Sequence, residues 1–132
     1  MFIYTTKIRL HHTDAVGRIF FNQIFILAHE CYEDFLSNVY PTTQFRENSD
    51  FQLPIVHTEA DYHLPLKVGQ AVTITMSLER LGNSSFHLLY EVKTDQGVLG
   101  ATVKTSHVCV SRQTQNPIEV PNPLREALTG LG

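Results

Sequence analysis

Apolar and polar positions alternate from Ile3 to His11, with Tyr4, Thr6, Ile8 and Leu10 on one side and Thr5, Lys7, Arg9 and His11 on the other. Successive side chains of a strand point to opposite faces, so this run predicts a half-buried strand. The spacing then changes to threes and fours. Ile24, Leu27, Ala28, Cys31, Phe35 and Val39 form one helical stripe, widened by Phe25, Ile26 and Tyr32. Asn22 stands where it can cap this helix, and Pro41 ends it. A stripe this broad requires a partner larger than a single neighbouring element. Thr42 to Pro54 reads as a long polar connection anchored by Phe45, Phe51 and Leu53.

From Ile55 onward the alternation returns. Val56 to Leu64 forms one run, punctuated at its end by Pro65 and Gly69. Val72, Ile74, Met76 and Leu78 alternate with Thr73, Thr75, Ser77 and Glu79. After a turn at Gly82-Asn83-Ser84, Phe86, Leu88, Tyr90 and Val92 alternate with His87, Leu89, Glu91 and Lys93. Asp95-Gln96-Gly97 is a hairpin-type turn, and a last strand runs from Val98 to about Ser111. Pro117, Pro121 and Pro123 mark an extended tail, with a short helix from Leu124 to Leu128. The predicted class is therefore α+β, a curved antiparallel sheet of about five strands wrapped around one long helix. His57, Glu59, Asp61 and His63 share one face of their strand, which suits an exposed surface or a wet interface. Sheet edges of this kind need cover, so oligomerisation is expected.

A length of 132 residues predicts one domain over 1–132, and 42% apolar with 17% charged residues fits a soluble globular chain. A net charge of −3 without a Lys or Arg run excludes a nucleic-acid face. No apolar segment is long enough to span a membrane and no targeting segment is present, so a cytoplasmic protein is expected. Cys31 and Cys109 lie in apolar runs and read as buried free thiols. The seven histidines show neither His-Glu-x-x-His nor Cys-x-x-Cys company, so neither a metal nor another cofactor is expected.

The chemistry is concentrated in His12-Thr13-Asp14-Ala15-Val16-Gly17-Arg18-Ile19-Phe20-Phe21-Asn22. It places Asp14 at a glycine turn that opens into the N-terminus of the apolar helix. A helix start offers unpaired N–H groups and partial positive charge. A nearby carboxylate can attack a carbonyl resting on those groups, or activate water against it. A turn aspartate with a purely structural role fits the same local pattern.

The order strand, helix, four strands, with Thr13-Asp14-Ala15-Val16-Gly17 and Phe20-Phe21-Asn22 before the helix, resembles the hotdog-fold acyl-CoA thioesterases. The pattern of Asp, two residues, Gly, two residues and an aromatic is similar to their 4-hydroxybenzoyl-CoA thioesterase branch. Three further segments resemble its 1,4-dihydroxy-2-naphthoyl-CoA hydrolases of phylloquinone and menaquinone synthesis. They are His29-Glu30-Cys31-Tyr32-Glu33, Asp50-Phe51-Gln52-Leu53-Pro54-Ile55-Val56-His57 and Ser106-His107-Val108-Cys109. The resemblance implies that Asp14 is the catalytic carboxylate and Gly17 the turn residue that lets the backbone approach the substrate. It implies that the backbone N–H of Phe21 polarises the thioester carbonyl. Arg18 and His12 depart from the pattern, because relatives usually carry a small or aliphatic residue and an acidic residue there.

The resemblance further implies an acyl-CoA substrate and a homotetramer or homodimer with a shared active site. Ser85 matches a position that helps to place the acyl group, and turn chemistry explains it equally well. Arg80, Lys104 and Arg112 are candidates for the CoA phosphates. Glu30 and Glu33 lie on the helix and read as solvated or interface residues. Phe20, Phe21, Phe25, Phe45 and Phe51 concentrate aromatic surface near the carbonyl site, and together with the resemblance they point to an aromatic acyl group. A core role fits each of them equally well, and a short-chain acyl-CoA thioesterase and a non-catalytic acyl-CoA-binding module are the alternatives.

Overall fold

The computed structural model describes residues 1–41 and 49–132. Strand β1 (Phe2–Lys7) leads through a 3-10 turn at Leu10–His12 into helix α1 (Gln23–Ser37). The chain then forms β2 (Phe51–Gln52), β3 (Ile55–Tyr62), β4 (Ala71–Leu81) and β5 (Ser85–Thr94). It ends with β6 (Leu99–Val108), β7 (Val110–Ser111) and helix α2 (Asn122–Gly130). Five strands make one antiparallel sheet in the order β1-β4-β5-β6-β3, and β2 pairs separately with β7. Helix α1 touches both edge strands, β1 and β3, as well as β4 and β6, so the sheet curls around it. Among the described residues no helix is long and apolar enough to cross a membrane.

The alternation along the central strands sets this arrangement. Phe86, Leu88, Tyr90 and Val92 of β5 and Val72, Ile74 and Met76 of β4 are buried against α1. The helix answers with Ile24, Leu27, Ala28, Cys31, Tyr32 and Phe35. Each large apolar side chain withdrawn from water contributes about 1.5–3 kcal/mol. Cys31 and Cys109 are free and buried, as expected, and burial pushes their thiols up, Cys31 to about 12 and Cys109 to about 11.

Several boundaries differ from the sequence expectation. β1 stops at Lys7, opposite Ala71, where its partner β4 begins. Beyond that point no strand remains to pair with, the chain turns, and Leu10 is left 79% exposed instead of sharing the inner face with Tyr4 and Thr6. The helix has 15 residues rather than reaching Val39, because the amides of Val39 and Tyr40 both bond back to the carbonyl of Leu36 in a closing turn. Asn22 occupies the cap position, but its side chain makes no capping bond. The single long helix is thus shorter than expected and is supplemented by α2, whose Leu124 and Leu128 enter the same core. The last strand breaks at Cys109, and the second piece pairs with Phe51–Gln52, inside what reads as an irregular connection. Phe45 lies outside the described residues.

Candidate active site

Asp14 begins a tight turn. The Gly17 amide donates to the Asp14 carbonyl at 3.1 Å, and the Asp14 amide donates to the Arg18 carbonyl at 2.8 Å. Gly17 has φ +79°, a left-handed conformation that side-chain-bearing residues rarely adopt. Asp14 Oδ1 accepts from the amides of Val16 at 3.0 Å and Arg18 at 3.1 Å. Those two bonds fix the carboxylate's direction. Oδ2 has no partner among the described residues and stays available for chemistry. Oδ1 therefore serves the turn, and the second carboxylate oxygen is left unbonded.

The turn is held from three sides. The Ile19 amide donates to the Leu66 carbonyl at 2.7 Å, and the Val68 amide to the Gly17 carbonyl at 2.9 Å. The segment carrying Leu66 is itself fixed, because the amides of His63 and Leu64 donate to the Gly100 carbonyl at 2.9 and 3.2 Å. A Cβ on Gly100 would sit 2.7 Å from Leu66 Cδ2, so a larger residue here would displace the buried Leu66 side chain. His12 closes the third side. It is buried, its Nδ1 accepts the Arg9 amide at 2.9 Å, and its carbonyl accepts the Phe20 amide at 2.9 Å. Burial lowers its pKa and favours the neutral ring. The histidine that departs from the resemblance thus ties the end of β1 to the helix entry.

A cavity of about 420 Å³ opens at this point, lined by Asp14, Arg18 and Phe21 on one side and Tyr62, His63 and Pro65 on the other. Phe21 is 63% exposed, and its amide has no acceptor among the described residues. The Tyr62 hydroxyl donates to the Phe21 carbonyl, which ties the end of β3 to the helix entry. Burial raises the Tyr62 phenol and keeps it a donor. A carboxylate oxygen, a free amide and the positive end of α1 meet at one open cavity. That set can activate water, or attack directly, at a carbonyl whose oxygen rests on the amide.

Phe20 is exposed and packs its ring against Phe21 at 4.9 Å, beside the cavity rather than in its lining. Ser85 pairs with Val108, at the end of the sheet opposite Tyr62, whose partner is Ala101. One chain therefore does not bring Ser85 to Asp14. Arg80 pairs with His87 near that same far end. Lys104 is in the middle of β6, with its Nζ 3.3 Å from Glu79. Arg112 follows β7, and its Nε donates to the Ser49 carbonyl at 2.7 Å. None of these lines the Asp14 cavity. Conversely, Tyr62, His63 and Pro65 were not singled out as site residues. Pro65 and Gly69 signal that the chain turns there, but nothing local says that the turn lies across from Phe21.

A curled antiparallel sheet around a helix, with a carboxylate turn at the helix entry, is the arrangement of hotdog-fold thioesterases. A model of the thioesterase-like superfamily matches residues 8–128. A 1,4-dihydroxy-2-naphthoyl-CoA hydrolase from Rippkaea orientalis is 35% identical over 95% of this chain and 90% of its own length. One from Prochlorococcus marinus is 34% identical over 82% of this chain and 77% of its own. The crystal structure of a 1,4-dihydroxy-2-naphthoyl-CoA thioesterase from Synechocystis superposes with a TM-score of 0.91 at 28% identity, covering 98% of this chain and 96% of that one. The chain belongs to the thioesterase-like superfamily and is a thioester hydrolase.

Proposed function

We propose that the chain hydrolyses an aromatic acyl-CoA, with 1,4-dihydroxy-2-naphthoyl-CoA the first choice of substrate, and that Asp14 is the catalytic carboxylate. The observation that carries this reading is the pairing of a free Asp14 Oδ2 with the free Phe21 amide at one cavity, on a chain similar end to end to hydrolases of that thioester. As general base, Asp14 takes a proton from water while the water oxygen bonds to the carbonyl carbon. As nucleophile, its oxygen bonds to that carbon to give a mixed anhydride, which water then opens. In both routes the carbonyl oxygen gains charge beside the Phe21 amide, and the carbon–sulfur bond breaks to release CoA thiolate, which takes up the proton held by Asp14 in the first route and the one freed when water opens the anhydride in the second. A single such donor contributes about 3–4 kcal/mol in other enzymes. No cofactor is required.

The active unit in this reading is one hotdog domain assembled as a cytoplasmic homotetramer or homodimer with shared sites. β3 is an edge strand exposed on both faces, with Ile55, Val56 and Tyr62 all open to solvent. Two copies pairing antiparallel along β3 bring the Ile55 end of one strand to the Tyr62 end of the other. The end of the sheet that carries Ser85, Arg80 and Arg112 then approaches the Asp14 cavity of the partner, with Lys104 between. That geometry supports these residues as contacts for the acyl group and the CoA phosphates. An active monomer at micromolar concentration by light scattering contradicts it.

The test is thiol release from a panel of CoA thioesters. Higher kcat/KM for aryl than for straight-chain acyl groups is expected. A preference for short aliphatic chains overturns the aromatic assignment and leaves thioester hydrolysis standing.

A further inference from the structure

Arg18 brings a positive charge into the turn that holds Asp14. Its amide donates to Asp14 Oδ1 at 3.1 Å, and its carbonyl accepts the Asp14 amide at 2.8 Å. The backbone of Arg18 therefore touches the carboxylate itself, and the residue lines the same cavity as Asp14 and Phe21. Across the turn, Arg18 pairs with Lys67 in an isolated antiparallel bridge. Directly opposed residues of such a pair send their side chains to one face, with Cβ atoms about 5 Å apart. Two exposed cations thus stand side by side at the rim of the cavity. Like charges set opposite each other repel. Neither side chain has an ion pair or a hydrogen bond among the described residues to relieve that repulsion.

Hydrolysis creates a charge that this pair can meet. The thioester carbonyl enters uncharged and leaves as a carboxylic acid, which is ionised at neutral pH. The new carboxylate forms between the Phe21 amide and the free oxygen of Asp14. Once Asp14 is again ionised, two carboxylates share one site and repel each other. A guanidinium beside them offsets that repulsion, and its planar fork can hold both oxygens of a carboxylate. The CoA phosphates are a poorer match. They lie a whole pantetheine arm from the thioester sulfur, whereas Arg18 is bonded through its amide to the Asp14 carboxylate.

We propose that Arg18, assisted by Lys67, seats the carboxylate of the released acid, so that the enzyme is held in check by its own product. The proposal rests on the function proposed above and adds a regulatory property of the same site. An uncharged thioester group gains little from these cations, and the acid gains an ion pair. Accumulating acid occupies the cavity and slows further hydrolysis until a later reaction consumes it.

The experiment measures inhibition of 1,4-dihydroxy-2-naphthoyl-CoA hydrolysis by 1-hydroxy-2-naphthoate, by its neutral analogue 1-hydroxy-2-naphthamide and by free CoA. In the wild type the carboxylate is expected to compete with substrate and to bind at least about tenfold more tightly than the amide. Arg18→Gln is expected to raise the Ki of the carboxylate about tenfold, with the Ki values of amide and CoA unchanged. Arg18→Lys restores part of the carboxylate affinity, and Lys67→Gln weakens it by about two- to threefold. Equal Ki values for acid and amide in the wild type, or an unchanged carboxylate Ki in Arg18→Gln, overturn the proposal. A rise confined to the Ki of CoA also overturns it and assigns the pair to the phosphates. A wild type that hydrolyses straight-chain thioesters instead overturns the aryl assignment alone, and the same comparison with the matching acid and amide then decides the role of Arg18. The turn bonds of Arg18 come from its backbone, so an unchanged Tm is expected in each variant.

Discussion

Strands β5 and β3 belong to the same antiparallel sheet and are of similar length, yet they meet opposite surroundings. β5 lies at the centre, and Phe86, Leu88, Tyr90 and Val92 are almost completely buried beneath α1. β3 lies at an edge, and Val56 is 60% exposed while only Ala60 is partly sheltered. The difference follows from where the helix reaches. Over β5 the large side chains of helix and sheet fill the space between them as one buried cluster. Against β3 the helix leaves two cavities, one lined by Asp14, Phe21 and Tyr62 and the other by Phe25, His29 and Ile55. Stability is concentrated at the centre of the sheet, and binding capacity at its edge.

Phe86→Ala is the severest way to challenge that division. Phe86 is fully buried and stacked on His107 with ring centroids 4.6 Å apart, so its truncation is expected to cost about 3–5 kcal/mol. Val56→Ala at the edge is expected to change stability by less than about 0.5 kcal/mol. Denaturant unfolding of the two variants checks the contrast, and comparable losses would erase it.

The central region also carries a pH dependence. His107 is buried between Phe86 and Tyr32, and desolvation, followed by repulsion from His29 and His87, lowers its pKa to about 3. The unfolded chain, with an ordinary histidine near 6.5, binds a proton first as pH falls. Stability from the neutral ring is therefore complete above about pH 6.5 and declines from there toward about 3, by a few kcal/mol. His12, also lowered by burial, acts in the same direction. His107→Phe is expected to flatten the fall in Tm between pH 6.5 and 4. An unchanged slope would place the proton uptake elsewhere.

At the edge, Tyr62→Phe removes the hydrogen bond that steadies the Phe21 carbonyl. The expected loss is about 1 kcal/mol, read as a several-fold fall in kcat with little change in KM. A change confined to KM would mean that the hydroxyl binds substrate rather than positioning the helix entry.

How much of this was legible in the sequence follows the same division. The buried faces of α1, β4 and β5 could be read directly, because each repeats its own period against one continuous partner. The Asp14 turn was legible because Gly17 and the helix start are local. The end of β1 was not, since it depends on where β4 runs out. Tyr62 was equally hidden, being 41 residues from the carbonyl it bonds. The stacking of His107 on Phe86 was hidden too, because it depends on the register between β5 and β6. Ser85 and the three basic candidates were read from resemblance and strand-end position, and a single chain keeps them away from the Asp14 cavity.

The most direct measurement is turnover of 1,4-dihydroxy-2-naphthoyl-CoA by Asp14→Asn, followed as thiol release and accompanied by circular dichroism and Tm. The turn bonds to Oδ1 survive in asparagine, so fold and Tm are expected to be kept while kcat/KM falls at least about a hundredfold. A well-folded Asp14→Asn enzyme turning over at near the wild-type rate would contradict the account.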